Sequence, residues 1–119
     1  MREKSKDINR LRHIAECIGN IKQFLQGKTF DEMKSDVMCY HAVVYNIMII
    51  GEAANMLTSD FRDSHADVPW RNIIDMRNVL VHGYYTVSPI FIWETYTKDL
   101  DFLETKVAAF IKEIDNGER

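Results

Sequence analysis

The sequence predicts an all-α bundle of four or five helices. Apolar residues recur at spacings of three and four along most of the chain. No stretch alternates with period two over a strand's length, and proline occurs only at positions 69 and 89. With 119 residues, 46% hydrophobic and 28% charged, the chain has the size and composition of one globular domain, residues 1–119. It is too short to build two separate cores.

The first helix is marked by Ile8, Leu11, Ile14, Ala15, Ile18, Ile21 and Leu25, which form one stripe with Arg10, Arg12, Glu16 and Lys22 off it. Ser5 is its expected N-cap and Gly27 its stop. A second helix begins near Thr29, where the run TFDE puts acids in the first turn, and it breaks around Lys34–Asp36. Val37 to Leu57 is apolar on much of its circumference and reads as the central, most buried helix. The run TSDFRDSHADVP is expected to be a polar connector, with Asp67 capping a third long helix from Pro69 to about Val81 or His82. Gly83 follows as a left-handed stop. Ser88 and Pro89 repeat the cap-then-proline signal. A last helix then carries Ile92, Trp93, Tyr96, Leu100, Leu103, Val107, Phe110, Ile111 and Ile114 on one side. Residues 89–115 would span roughly 40 Å at 1.5 Å per residue.

Several function classes are disfavoured at once. The formal charge of −3 and pI near 5.8 give no global signature of nucleic-acid binding, so a phosphate-binding role needs a local basic patch. Cys17 and Cys39 are isolated thiols without a CxxC spacing, which reads as two small buried hydrophobes in a reducing compartment. The opening MREKSKDINRLRH lacks an apolar signal core. The longest apolar run is broken by Asn46, Gly51, Glu52 and Asn55, so neither a leader nor a spanning helix is expected and the reading is cytoplasmic. His13 and His65 show no metal spacing, and there is no HExxH, P-loop, dinucleotide fingerprint or Ser-His-Asp arrangement. No metal and no cofactor are expected.

Chemistry concentrates in RNVLVHGYY, Arg77 to Tyr85. Arg77 and His82 are five positions apart, roughly 140° around a helix, so a ligand shared between them would lie across the helix end. Gly83 lets the chain turn there and can swing Tyr84 back toward Arg77. A histidine can move protons, and an arginine can bind a phosphate oxygen bidentately and stabilise charge building on it. The residues alone leave two readings open: this phosphoryl chemistry, or an ordinary capping histidine beside a surface cation.

RNVLVHGY contains the R-x4-H-x-Y motif of the HEPN superfamily. Together with IGEAANML (Ile50–Leu57), PWRNIIDMRN (Pro69–Asn78) and the helix order, the chain resembles its HepT-like branch. The resemblance covers most of the chain and is strongest from Ile50 to Tyr85. It implies a homodimeric, metal-independent endoribonuclease, the toxin of a type VII toxin–antitoxin pair. Its RNA substrate would be a tRNA or an mRNA. On this resemblance Arg77 and His82 match the catalytic pair, Asn78 the polar residue that follows the arginine, and Tyr84 the tyrosine to which an MntA-like nucleotidyltransferase antitoxin transfers AMP. Tyr85 has no counterpart in the motif and reads as packing.

Dimerisation has its own rationale. Cleavage through a ribose 2′-hydroxyl needs one group to take a proton and another to give one. One chain supplies a single motif histidine; two supply both roles and four basic groups in a cleft, despite a formal charge of −6 for the pair (2 × −3). Glu52 is expected either to orient Arg77 through an ion pair or to be bonded inside the bundle, and Arg71 to extend the RNA-binding surface or stand as a solvated cation. His41 and Tyr45 either line the cleft or are bonded inside the bundle. Trp70 and Trp93 read as core anchors. The alternative function is non-catalytic: a helical module that binds a nucleotidyltransferase and positions its substrate. A purely structural dimeric bundle ranks third, because it leaves the polar groups at 77–84 without a purpose.

Overall fold

The computed structural model describes the backbone of residues 2–117 and the side chains of residues 6–117. It is all-helical among the described residues, with principal extents of 47 × 29 × 21 Å. Helix α1 (Arg2–Leu25) presents its expected stripe to the interior, with Leu11, Ile14, Ile18 and Ile21 fully buried. Because α1 begins at Arg2, Ser5 lies inside the helix rather than at its cap, and its side chain is outside the described residues. Gly27 ends the segment with φ +74, the left-handed conformation that glycine adopts without a Cβ clash.

Helix α2 (Phe30–Ser35) opens with a reciprocal capping box. The Glu32 N–H donates to Thr29 Oγ1 at 3.2 Å, and the Thr29 N–H donates to Glu32 Oε1 at 2.8 Å. Those bonds hold the Glu32 carboxyl below its ordinary titration range. Asp36 then caps α3 (Val37–Asn55), accepting from the Cys39 N–H at 3.0 Å. By length and composition α3 could cross a membrane, with 19 residues at mean hydropathy 1.4. Its apolar surface is used otherwise. Val43, Val44, Ile47 and Ile50 join one core with α1, α5 and the last helix. Cys17 is buried in that core, and burial, helped by Glu16, pushes its thiol up to about 11; Cys39 is only partly buried.

The connector departs from expectation. It contains a short helix, α4 (Ser59–Ser64), capped by Thr58, whose Oγ1 accepts from the Phe61 N–H at 3.2 Å. Thr58 also donates its N–H and hydroxyl to the two carboxylate oxygens of Asp7, each at 2.8 Å. Asp7 is only 3% exposed, so this pair of hydrogen bonds satisfies a buried carboxyl group and ties α4 to α1. Around α4 an aromatic knot forms. His65 stacks on Phe61 at 4.0 Å and meets Phe110 at 4.5 Å, while Trp70 Nε1 donates to the His65 carbonyl at 3.0 Å. Trp70 is thus a core anchor, as expected.

Helix α5 runs Trp70–Gly83. Asp67 does not cap it; Pro69 occupies the cap position and makes no side-chain bond. Asp67 instead pairs with Lys106, which holds its carboxyl below the ordinary range. Gly83 lies inside the helix end with φ −171, so the left-handed stop expected there does not form. The chain leaves through a 3-10 turn, Tyr84–Thr86, in which Thr86 Oγ1 donates to the Gly83 carbonyl at 2.7 Å.

The last rod comprises α6 (Pro89–Glu94), a π turn (Thr95–Asp99) and α7 (Leu100–Gly117). Pro89 sits at the first helical position as expected, while Ser88 makes no side-chain cap bond. The π turn has a cause legible in the buried set Ile92, Thr95, Leu100, Leu103, Val107 and Phe110. Its step from 95 to 100 would put two buried residues roughly 140° apart on an α-helix. One wide turn absorbs the extra residue and returns Leu100 to the core side. Lys22 of α1 clamps this rod through Asp101 and through Glu104 at 2.6 Å, and these bonds raise its pKa above the ordinary lysine value.

Candidate active site

The seam between α3 and α5 places the charged residues. At Gly51 a Cβ would stand 2.2 Å from Arg77 Cβ and 3.0 Å from the Ile73 carbonyl oxygen, so only glycine permits this approach. The neighbouring Glu52 therefore reaches Arg77 directly, with Oε1 2.9 Å from Nη2. Arg77 Nη1 donates to Asn78 Oδ1 at 2.9 Å. One guanidinium donor is hydrogen-bonded and a second nitrogen is ion-paired, and among the described residues the other donors remain for a ligand. The Arg77 side chain is 29% exposed and that of Glu52 44%, so the pair faces outward rather than into the core.

His82 is exposed in the last turn of α5. Its ring has no hydrogen bond, ion pair or ring contact among the described residues. Two residues back, fully buried Leu80 anchors the same helix end, so His82 projects from a fixed backbone. Tyr84 follows in the 3-10 turn, and its ring stands edge-on to His41 of α3, centroids 5.5 Å apart. The turn therefore sets Tyr84 against α3, not back over Arg77 as the sequence suggested. Tyr85 packs on Tyr84 at 5.9 Å and is the more exposed of the two, 78% against 42%.

Among the remaining candidates, His41, Tyr45 and Glu52 share the outward side of α3. Tyr45 is exposed rather than bonded inside the bundle. Arg71 is exposed near the start of α5, about 9 Å along the axis from Arg77, and is not brought to the pair. Trp93 is half-buried between Phe30 at 6.1 Å and Tyr96 at 5.2 Å. Among the described residues no three His, Cys, Asp or Glu side chains come together as a metal set. Sequence reasoning overlooked Gly51 as a determinant of the site. The signal was available: a glycine directly before Glu52, on a helix otherwise lined with large aliphatics, marks a close approach.

An all-helical HEPN-type protein, with an arginine midway along one helix, a histidine in that helix's last turn and a tyrosine in the turn that follows, is the class that this fold and site define. Residues 14–110 match the family model described as "Ribonuclease HepT-like", and the chain belongs to that family. It is 34% identical over 106 residues to the "Probable ribonuclease HepT" of Thermococcus cleftensis, covering 89% of this chain and 94% of that one. A protein of Caldanaerobacter subterraneus subsp. tengcongensis, named "Putative RNase", is 34% identical over 102 residues, 86% of this chain and 91% of its own. A "Gamma-glutamylcyclotransferase and putative RNase" of Methanocaldococcus jannaschii is 32% identical over 107 residues, 90% of this chain. This chain spans about half, 48%, of that relative's length. No solved structure matches the chain.

Proposed function

We propose that this chain is a metal-independent endoribonuclease acting as a homodimer on tRNA or mRNA in the cytoplasm. In this reading it is the toxin of a pair whose antitoxin is an MntA-like nucleotidyltransferase. The observation that carries the reading is the state of the two motif side chains. Arg77, midway along α5, is aimed by Glu52 and Asn78 yet keeps donors to spare, and His82, in the last turn of the same helix, stands exposed with no bonding partner among the described residues. Both side chains are accessible to solvent and carry bonding groups that an RNA phosphate or ribose could take.

In the reaction, one imidazole takes the proton of a ribose 2′-hydroxyl, whose oxygen bonds to the adjacent phosphorus. The P–O5′ bond breaks and a second, protonated imidazole delivers its proton to the departing 5′-oxygen. Arg77 binds the non-bridging oxygens as charge builds on them. Each chain has one His82, so two copies with facing motifs complete the proton inventory. Neutralisation follows from Tyr84. Its hydroxyl oxygen bonds to the α-phosphorus of ATP held by the antitoxin and gives up its proton to a base there, pyrophosphate leaves, and the attached AMP blocks the RNA-binding cleft. The Tyr84 ring rests edge-on against His41, which supports a fixed position for the acceptor hydroxyl.

The test combines three measurements. Arg77→Ala and His82→Ala should each reduce RNA cleavage by roughly 10²–10⁴-fold with unchanged helical circular dichroism. Cleavage should persist in EDTA, and light scattering at active concentrations should report a dimer. After incubation with the antitoxin and ATP, mass spectrometry should find AMP on Tyr84, and Tyr84→Phe should escape modification. Wild-type cleavage by His82→Ala, arrest by chelation, an active monomer, or AMP on Tyr85 would each overturn the corresponding part.

A further inference from the structure

Helix α5 has a second functional-looking side, turned away from Arg77. Between it and the α6–α7 rod lies an open trough of about 790 Å³, floored by Ile50 and Leu100, each 3% exposed. Its walls are Met76 and Val79 on one side and Phe91 and Phe102 on the other. Val79, Phe91 and Phe102 are 52%, 47% and 47% exposed, a concentration of large apolar side chains that a folded chain ordinarily hides. The π turn forms part of the lining, and such turns recur at functional sites.

The trough is elongated. Its lining runs from Pro69 to Val79 along α5 and from Phe91 to Leu103 along the rod, about 15–18 Å at 1.5 Å per residue. That is the length of three helical turns. The rim is acidic. Asp75 and Asp99 line the mouth and have no ion-pair partner among the described residues. Lys98 also lines the trough but pairs with Glu94 at 3.2 Å, and Lys106, beside the Phe102 ring, pairs with Asp67, so the two aspartates are the lining charges left without an ion pair among the described residues.

We propose that this trough docks the apolar ridge of a basic amphipathic helix, about three turns long, belonging to a protein partner. The ridge residues at i, i+4 and i+7 would fill the space between the walls, and flanking lysines or arginines would meet Asp75 and Asp99. The charge pattern selects this occupant over a second copy of the chain. Two troughs meeting face to face would bring the unpaired carboxylates of each onto those of the other, and the chain is acidic overall. The inference does not depend on ribonuclease activity, and its test contains no RNA.

The probe is a fluorescein-labelled 15-residue peptide with leucines on one helical stripe and lysines elsewhere, titrated with the full chain and read by anisotropy. Two controls have the same length: a scrambled order that breaks the stripe, and a version with glutamate for lysine. The striped lysine peptide should bind. Phe91→Ser with Phe102→Ser, both exposed in the wild type, should weaken binding about tenfold or more with unchanged circular dichroism. Asp75→Asn with Asp99→Asn should weaken it less and lower its salt dependence. The proposal fails if the striped peptide does not bind, if either control binds as well, or if the phenylalanine variant binds like wild type. It also fails if that variant has a smaller mass in light scattering, because the trough would then be filled by another copy.

Discussion

The seam between α3 and α1 is built from bulk, whereas the seam between α3 and α5 is built from a gap. On the first, Leu11, Ile14, Ile18 and Ile21 meet a helix offering Val43, Val44 and Ile47, all 5% exposed or less. On the second, Gly51 removes the side chain that would keep the helices apart, and Glu52 and Arg77 pair along the opened line. Polar groups follow the same division. Asp7, beside the first seam, spends both oxygens on Thr58, while Arg77, on the second, keeps donors in reserve. Packing and the proposed chemistry thus occupy adjoining strips of one helix, and separate mutations should address them.

The largest stability effect is expected from Ile18→Ala, which empties a fully buried position and should cost about 2–5 kcal/mol. Cleavage per folded molecule should be unchanged, measured at a temperature where the variant remains folded. Gly51→Ala should cost less, about 1–3 kcal/mol, since the added methyl forces α3 and α5 apart. Because Arg77 must move with α5, cleavage should fall as well. A Gly51→Ala protein that is destabilised yet cuts RNA normally would break the comparison, since the seam would then not position the arginine.

Glu52→Gln sharpens the same point at lower cost. The pair is partly exposed, so its loss should change stability by only about 0.2–1 kcal/mol. Cleavage should drop about tenfold, as the guanidinium keeps its charge but loses its fixed direction. Equal and negligible effects on both would mark Glu52 as a bystander.

The smallest effect should come from Asp67, outside both seams. Its carboxyl is held below the ordinary value of 3.8 by the hydrogen bond from Lys106. A depressed carboxyl contributes stability above its unfolded pKa and loses that contribution as pH falls through the folded value. The difference in Tm between wild type and Lys106→Ala should therefore be larger near about pH 6 than in strong acid. A difference independent of pH would assign Lys106 to its contact with the Phe102 ring instead.

Much of this was legible in the chain because it depends on neighbours within one turn. The stripe of α1, the Thr29–Glu32 capping box, the Asp36 break, the Pro89 start and the Arg77–His82 spacing are all local, and each appears where the residues place it. Even the Glu52–Arg77 pair was within reach, through the family motif. Errors arose where a local signal had a distant competitor. Asp67 has a capping residue's chemistry but found Lys106, 39 positions away in sequence. Gly83 can adopt a left-handed turn but did not need to, because Thr86 closes a 3-10 turn on its carbonyl. The polar connector folded into α4 because Thr58 gains a buried partner in Asp7, 51 positions back.

The sequence by itself determined the helical class, the boundaries set by short-range capping, and the motif that carries the proposed chemistry. Periodicity and caps act over three or four residues, so one dimension is enough to read them. Tertiary structure alone decided that Gly51 admits α5, that Tyr84 rests on His41, that a π turn realigns the last helix, and that an apolar trough is left open behind α5. Those outcomes depend on which surfaces meet, and that choice is made by packing the whole core at once.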